Sequence, residues 1–344
     1  MKALRLEEFG TMRVVEVPDP ELPAGHVLLD IIATGICGSD IHGFTGANGR
    51  RHPGQIMGHE SVGRIAARGA GVAETDFPTG AVATFNPLVV PPASRSAFDG
   101  REQHAPDRRV IGVDPAWTAA FAERLAVPAE NVVLLPTDGV PAEWGALVEP
   151  LAVAVHAVSR AGVASGDAVL VLGGGPIGQS VALAARRAGA DEVIVSEPDP
   201  SRRVLCATLG AAAIDPGDGA VSEQVSGRFG RPADVAIDAV GVSGTLADAL
   251  ASTTLGGRVG LVGMGAQRLE IDAYSVSTAE RTIVGSFTYS SAAFVEAARW
   301  VGTGDPVLGS LISAIVPLEE GPEAFTRLAR PGAAAGKVLV RFGS

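Results

Sequence analysis

Cysteine is nearly missing: Cys37 and Cys206 are the only two in 344 residues, too few for a disulfide scaffold and in keeping with a reducing, cytoplasmic setting. Aromatic residues make up only 5% of the chain, and its basic residues are nearly all arginine. Acidic residues outnumber basic ones, 38 to 27, and the net charge of -11 with a pI near 5.1 excludes the clustered positive surface that nucleic-acid binding needs. Pairs such as Arg108-Arg109 and Arg202-Arg203 are too short for a basic tail or a membrane patch. The apolar stretch at 168–185 is broken by four glycines and a proline, which argues against a membrane span. Residues 1–17 alternate like a strand and lack the basic and apolar regions of a signal peptide.

What remains is a chain 47% hydrophobic and 19% charged, with a mean hydropathy of +0.27, the balance of a compact protein. Its length exceeds what one hydrophobic core usually fills, so two domains are expected. Residues 27–133 read as short strands between Gly, Pro and Asn signals, at 27–33, 61–67, 81–85 and 121–127. The Pro- and Arg-rich stretch 86–115 reads as an extended surface lobe. Helical spacing over 143–161 opens a different pattern, in which strands at 168–172, 192–196, 234–239, 258–262 and 282–287 alternate with helices, the signature of parallel βαβ units. A helix at 291–301 and a strand at 337–341 follow, and the strand could return to the N-terminal domain.

Gly173-Gly174-Gly175-Pro176-Ile177-Gly178 follows the first of these strands and opens a helix, the context in which G-x-G-x-x-G binds a dinucleotide. Gly173 permits the tight turn, Gly175 lets the backbone approach the pyrophosphate and Gly178 lets the helix pack closely on the strand. The next strand ends at Glu197, at the distance where a carboxylate accepts hydrogen bonds from the ribose and repels a 2′-phosphate. NAD is therefore expected; Arg202 and Arg203 keep NADP as the alternative, since arginine can hold the extra phosphate. Val240, Val262 and Gly263, at later strand ends, are further candidate cofactor contacts.

Cys37-Gly38-Ser39-Asp40-Ile41-His42 and Gly58-His59-Glu60 gather a thiol, imidazoles and carboxylates in one segment. Taken singly, a cysteine usually packs, a histidine is usually a core or surface residue, and Glu149 could cap a helix. Together they are metal-ligand chemistry: a catalytic zinc takes three protein ligands and keeps one position open, and Cys37, His59 and Glu149 of Val148-Glu149-Pro150 could supply them. Pro150 is expected to hold Glu149 extended. Cys206, with no motif around it, reads as packing.

These motifs resemble the zinc-binding medium-chain dehydrogenases over essentially the whole chain, most closely the sorbitol, butanediol and threonine dehydrogenase branch, with Ser196-Glu197-Pro198 and Arg202-Arg203 together similar to the butanediol dehydrogenases. The resemblance implies an α/β fold: a GroES-like β-rich catalytic domain at 1–148 and 298–344, and a Rossmann domain with a doubly wound parallel sheet at 149–297. It implies zinc on Cys37, His59 and Glu149, with Glu60 an alternative ligand or a catalytic group beside them. Ser39 would take the proton of a zinc-polarised alcohol and relay it to His42 while hydride passes to the nicotinamide. It further implies a small alcohol or ketone as substrate, and a homodimer or homotetramer, for which the strand at 282–287 is a plausible contact if it lies at a sheet edge.

Two departures from the family stand out. The four cysteines that hold a structural zinc in many members are replaced at the matching spacing by Pro91, Ser94, Ala97 and Ala105, so one zinc per chain is expected. The lobe must then be held by packing, proline rigidity or a subunit contact, and is expected to be mobile or interfacial. Thr288 stands where animal-type sorbitol dehydrogenases carry an arginine, so their polyol contacts do not transfer. Phe44, Trp117 and Phe287 are candidate pocket walls that could equally be core. Competing readings are a zinc-free quinone or enoyl-type reductase of the same fold, a binding protein that keeps the fold without catalysis, and a dehydrogenase of a sugar or aminocyclitol.

Overall fold

The computed structural model describes residues 1–47, 49–136, 139–330 and 332–343, and the chain forms two compact units: Met1–Glu149 with Ser290–Ser344, and Pro150–Tyr289. The second boundary falls ahead of the expected 298. Ser291–Val301 is one uninterrupted helix whose first turn is capped by Ser290, and a helix burying Phe294 and Trp300 stays whole within one core.

The first unit opens with a hairpin, Lys2–Glu8 and Thr11–Glu16. Its main sheet runs Ile312–Pro317, Lys337–Arg341, His26–Gly35, Glu60–Arg68, Val82–Phe85, Val132–Leu134, with Arg124–Pro128 also paired to His26–Gly35. Along His26–Gly35, Val27, Leu29 and Ile31 are buried while Leu28 and Asp30 are not, the period of two that gives a strand one core face. Leu4, Leu29, Ile65, Phe121 and Phe325 fill that core, with the Phe121 and Phe325 rings edge-on at 5.4 Å. The strand 121–127 begins later than expected, at Arg124, and the helix expected over 143–161 starts as 3-10 turns, Ala142–Leu147, before the α-helix Val148–Arg160. The return of Lys337–Arg341 to this unit is observed: it pairs antiparallel with His26–Gly35.

Residues 86–115 carry short elements, including the paired strands Leu88–Val89 and Arg109–Val110. With no cysteine in the stretch, hydrogen bonds and packing hold it. Buried Asn131 donates to the carbonyls of Asn86 and Leu88 at 2.7 and 2.8 Å, Glu102 accepts from the Ser291 N–H at 3.0 Å, and Ile111 is buried. Arg95 pairs with Glu130, and Arg109 lies over the Trp117 ring at 4.7 Å.

The second unit is a six-stranded parallel sheet in the order Ala212–Ile214, Glu192–Ser196, Ala168–Leu172, Ala233–Asp238, Thr253–Leu261, Thr282–Gly285. The central strand Ala168–Leu172 is buried at every position, as its unbroken apolar run requires where helices cover both faces. Chain order reverses between Ala168–Leu172 and Ala233–Asp238, the kind of switch point at which doubly wound sheets bind ligands beyond the carboxyl ends of their strands. Two strands differ from expectation: one starts at Thr253 instead of Arg258, and the last stops at Gly285 instead of Phe287.

Asn131→Ala should leave two buried carbonyls unsatisfied and cost about 1–3 kcal/mol. Denaturant unfolding measures this, and a midpoint unchanged from wild type would show that the lobe does not depend on Asn131.

Candidate functional site

The first unit gathers a cluster of ionisable groups at one end of its main sheet. Cys37 follows the strand His26–Gly35 and precedes the helix Gly38–Phe44; His59 precedes the strand Glu60–Arg68, which Glu60 opens. Ligand atoms of Cys37, His59 and Glu60 all lie within 4.8 Å of one another. Ligands held by a tetrahedral zinc stand roughly 3.5 Å apart, so small side-chain adjustments would close this set on an ion. Sulfur, imidazole nitrogen and carboxylate oxygen together are zinc's usual donors.

The surroundings favour positive charge. Burial works against a charged His59 ring, yet Asp40, then Cys37 and Glu149, raise its pKa to about 10. Asp40 is fully buried; one of its oxygens, Oδ1, lies 3.6 Å from His59 Nδ1, while Oδ2 accepts the Cys37 N–H at 3.2 Å. A centre that draws a proton onto a buried imidazole fits a dication.

Glu60 is fully buried, and Lys337 on the return strand lies 2.8 and 2.7 Å from its two oxygens. Burial opposes a charged Lys337, but Glu60, followed by Cys37 and Glu149, keeps its pKa raised. Gly35 makes room for this carboxylate: a Cβ there would stand 2.4 Å from Glu60 Oε2. Glu149 is 9% exposed and bears electrostatically on both His59 and Lys337, although it is not part of the mutually close set. The expectation that Pro150 holds Glu149 extended is corrected: both lie in the first turn of Val148–Arg160, where proline's missing N–H has no helical partner to lose.

Ser39, half-buried, and His42, exposed, sit three residues apart on the helix Gly38–Phe44 and so share one face. Phe44 is core, in ring contact with Phe325, and Trp117 packs under Arg109, whereas Phe287 is 42% exposed. Asp40 and Lys337 were not among the residues expected here. Asp40 stood inside the quoted motif, three residues from Cys37; Lys337 becomes meaningful only once its strand is placed beside His26–Gly35.

In the second unit the glycine turn has the local geometry the motif requires. Gly173 has φ 91°, and a Cβ on Gly178 would lie 1.7 Å from the Gly173 carbonyl oxygen. Gly175 ends the turn in extended conformation, and Pro176 and Ile177 start the helix Pro176–Arg187. Val240 abuts Gly173 and Gly263, and the N–H groups of Val262 and Gly263 both donate to the Asp238 carbonyl at 2.9 Å.

Glu197, the candidate ribose contact, is engaged by the backbone: its oxygens accept the N–H groups of Gly174 at 2.6 Å and Asp199 at 2.8 Å, bracing the turn from behind. Arg202 reaches within 3.9 Å of where a Gly175 Cβ would be. Arg203 donates to the Glu197 and Pro198 carbonyls and pairs with Asp215. Cys206 is buried against Gly174, and burial, reinforced by Glu197, pushes its thiol up to about 11.

Gly178→Ala should force the helix away from the turn and weaken dinucleotide binding at least tenfold, about 1.4 kcal/mol, with the first unit unaffected. Titration of bound NADH fluorescence tests this; wild-type affinity would refute the close-packing argument.

The description of the alcohol dehydrogenase GroES-like domain matches residues 23–137, and that of the zinc-binding dehydrogenases matches 176–303. The chain is 35% identical over 312 residues to 2-dehydro-3-deoxy-L-galactonate 5-dehydrogenase of Pseudoalteromonas atlantica, covering 89% of this chain and 88% of that one. It is 32% identical over 302 residues to (R,R)-butanediol dehydrogenase of Bacillus subtilis, covering 84% and 85%. Among solved structures, a zinc-binding dehydrogenase of Sinorhizobium meliloti bound to NADP matches with a TM-score of 0.88 at 32% identity, over 99% of both chains. No helix among the described residues is long and apolar enough to cross a membrane. Motifs, folds of both units and relatives agree: the chain belongs to the zinc-binding alcohol dehydrogenases of the medium-chain dehydrogenase/reductase family and is an oxidoreductase.

Proposed function

We propose that the chain is a one-zinc, NAD-linked cytoplasmic dehydrogenase that interconverts a secondary alcohol bearing further hydroxyls, a diol, polyol or sugar acid, with its ketone. The observation that carries this reading is the convergence of half-buried Cys37 with buried His59 and Glu60 within 4.8 Å. The names of the relatives, for a sugar acid and for butanediol, support the substrate class.

Cys37 and His59 would hold the zinc, His59 through Nε2, since Nδ1 is turned to Asp40. Charge balance favours Glu149 over Glu60 as the third ligand. Glu60 is neutralised by Lys337, which leaves the Cys37 thiolate and the Glu149 carboxylate to match a dication. When bound, zinc supplies a Lewis acid that lowers the pKa of the substrate hydroxyl. Ser39, half-buried, would accept a proton from the substrate hydroxyl while passing its own to His42, which would deliver it to solvent. Pro91, Ser94, Ala97 and Ala105 offer no second metal site.

Glu197 at the glycine turn and the engagement of Arg203 elsewhere favour NAD over NADP. The Thr282–Gly285 strand, with one side unpaired among the described residues, supports a homodimer or homotetramer.

Purified protein should contain one zinc per chain and reduce NAD in the presence of a diol or polyol. Cys37→Ser and Glu149→Ala should lose both metal and turnover, whereas Glu60→Gln should retain most of the metal. Metal analysis with NADH formation decides: metal-free protein that still turns over would make the chain a zinc-free reductase, and zinc lost from Glu60→Gln but kept by Glu149→Ala would exchange the roles of the two carboxylates. His42→Ala should slow turnover by up to about 10²–10⁴-fold with zinc content unchanged. An undiminished rate would remove His42 from the proton path.

A further inference from the structure

We propose that Arg51 is a positioning residue of the metal centre, a buried cation that fixes Asp40 as the anion holding His59; this rests on the zinc reading given above. Arg51 is 2% exposed and heads the large side chains that are fully buried among the described residues. Its Nη2 lies 3.4 Å from Asp40 Oδ1, the same oxygen that faces His59 Nδ1 at 3.6 Å, while Asp40 Oδ2 accepts the Cys37 N–H. One carboxylate thus joins the arginine to the backbone of one proposed ligand and the ring of another.

The local sequence is shaped around this arginine. A Cβ on Gly43 would stand 2.2 Å from Arg51 Cγ, so the helix Gly38–Phe44 is grooved by a glycine where the side chain crosses it. Arg51 belongs to the connection between that helix, which follows Cys37, and the strand Glu60–Arg68, which follows His59. Its position therefore couples the two segments that carry the ligands.

Stability alone does not account for it. A buried ion pair seldom outperforms apolar packing of the same volume, and here Nε is buried with no hydrogen-bond partner, a further cost. The arrangement makes sense if Asp40 must stay aimed at His59 and the Cys37 backbone. An imidazole ligand is oriented by the carboxylate behind it, and disturbing such a carboxylate typically weakens metal binding 10–100-fold. Arg51 and Asp40 form one neutral buried pair and Lys337 and Glu60 another, so neither carboxylate competes for the ion's charge.

The test compares wild type, Arg51→Lys, Arg51→Met and the double variant Arg51→Met with Asp40→Asn, which removes both charges and so preserves folding. Zinc affinity is measured by chelator competition, ligand geometry by the thiolate-to-metal absorption of the cobalt-loaded protein, and folding by the Tm of the metal-free protein. The expected result is a 10–100-fold loss of zinc affinity and an altered cobalt spectrum in Arg51→Met, with partial rescue by Arg51→Lys. The double variant should fold yet stay equally weak in zinc. Wild-type affinity and spectrum in either methionine variant, even with a lowered Tm, would overturn the proposal and leave Arg51 a packing residue. Wild-type protein that takes up no zinc would instead overturn the zinc reading, and this inference with it.

Discussion

The ion pair between Glu60 and Lys337 is the constraint around which the first unit is organised. Its members are 277 residues apart in sequence and both are buried, so neither can be exposed by a local movement or left alone without several kcal/mol of uncompensated charge. The pair ties the strand Lys337–Arg341 to the strand Glu60–Arg68, and it requires Gly35 to have no side chain. The proposed ligand residues thus sit in a frame closed by the strand Lys337–Arg341.

Much of this was legible in the sequence where the physics is local. The apolar run 168–172, the glycines behind it and the strand 192–196 appear with the expected boundaries, because a buried parallel strand and a turn that admits only glycine leave few alternatives. The helix 291–301 was equally plain from its spacing. Proline was misleading at 150: its preference for an extended preceding residue yields where the pair opens a helix, since the position lacks an N–H partner in any case.

What the sequence concealed is the set of counter-charges. Cys37, His59 and Glu149 could be named from motifs, but Arg51 and Lys337 lie in stretches with no motif, and their meaning comes from burial next to a carboxylate. Likewise Glu197 could be named as a candidate ribose ligand from its distance to the glycines, while its two backbone hydrogen bonds, which brace the turn itself, depend on how the strand end folds back. Long-range charge pairing has no periodicity to read, which is why this layer of the site emerged only from the fold.

The scarcity of sulfur has a consequence for chemistry from outside. Cys206 is buried, with its thiol made reluctant to ionise, and the lobe that carries cysteines in many relatives has none here. Cys37 is thereby left as the single half-accessible thiol of the molecule, and it sits among the proposed metal ligands. A thiol-selective alkylating reagent therefore meets one half-accessible target, and a single spectroscopic or mass label attached to that thiol would report on the centre alone, without background from the buried Cys206.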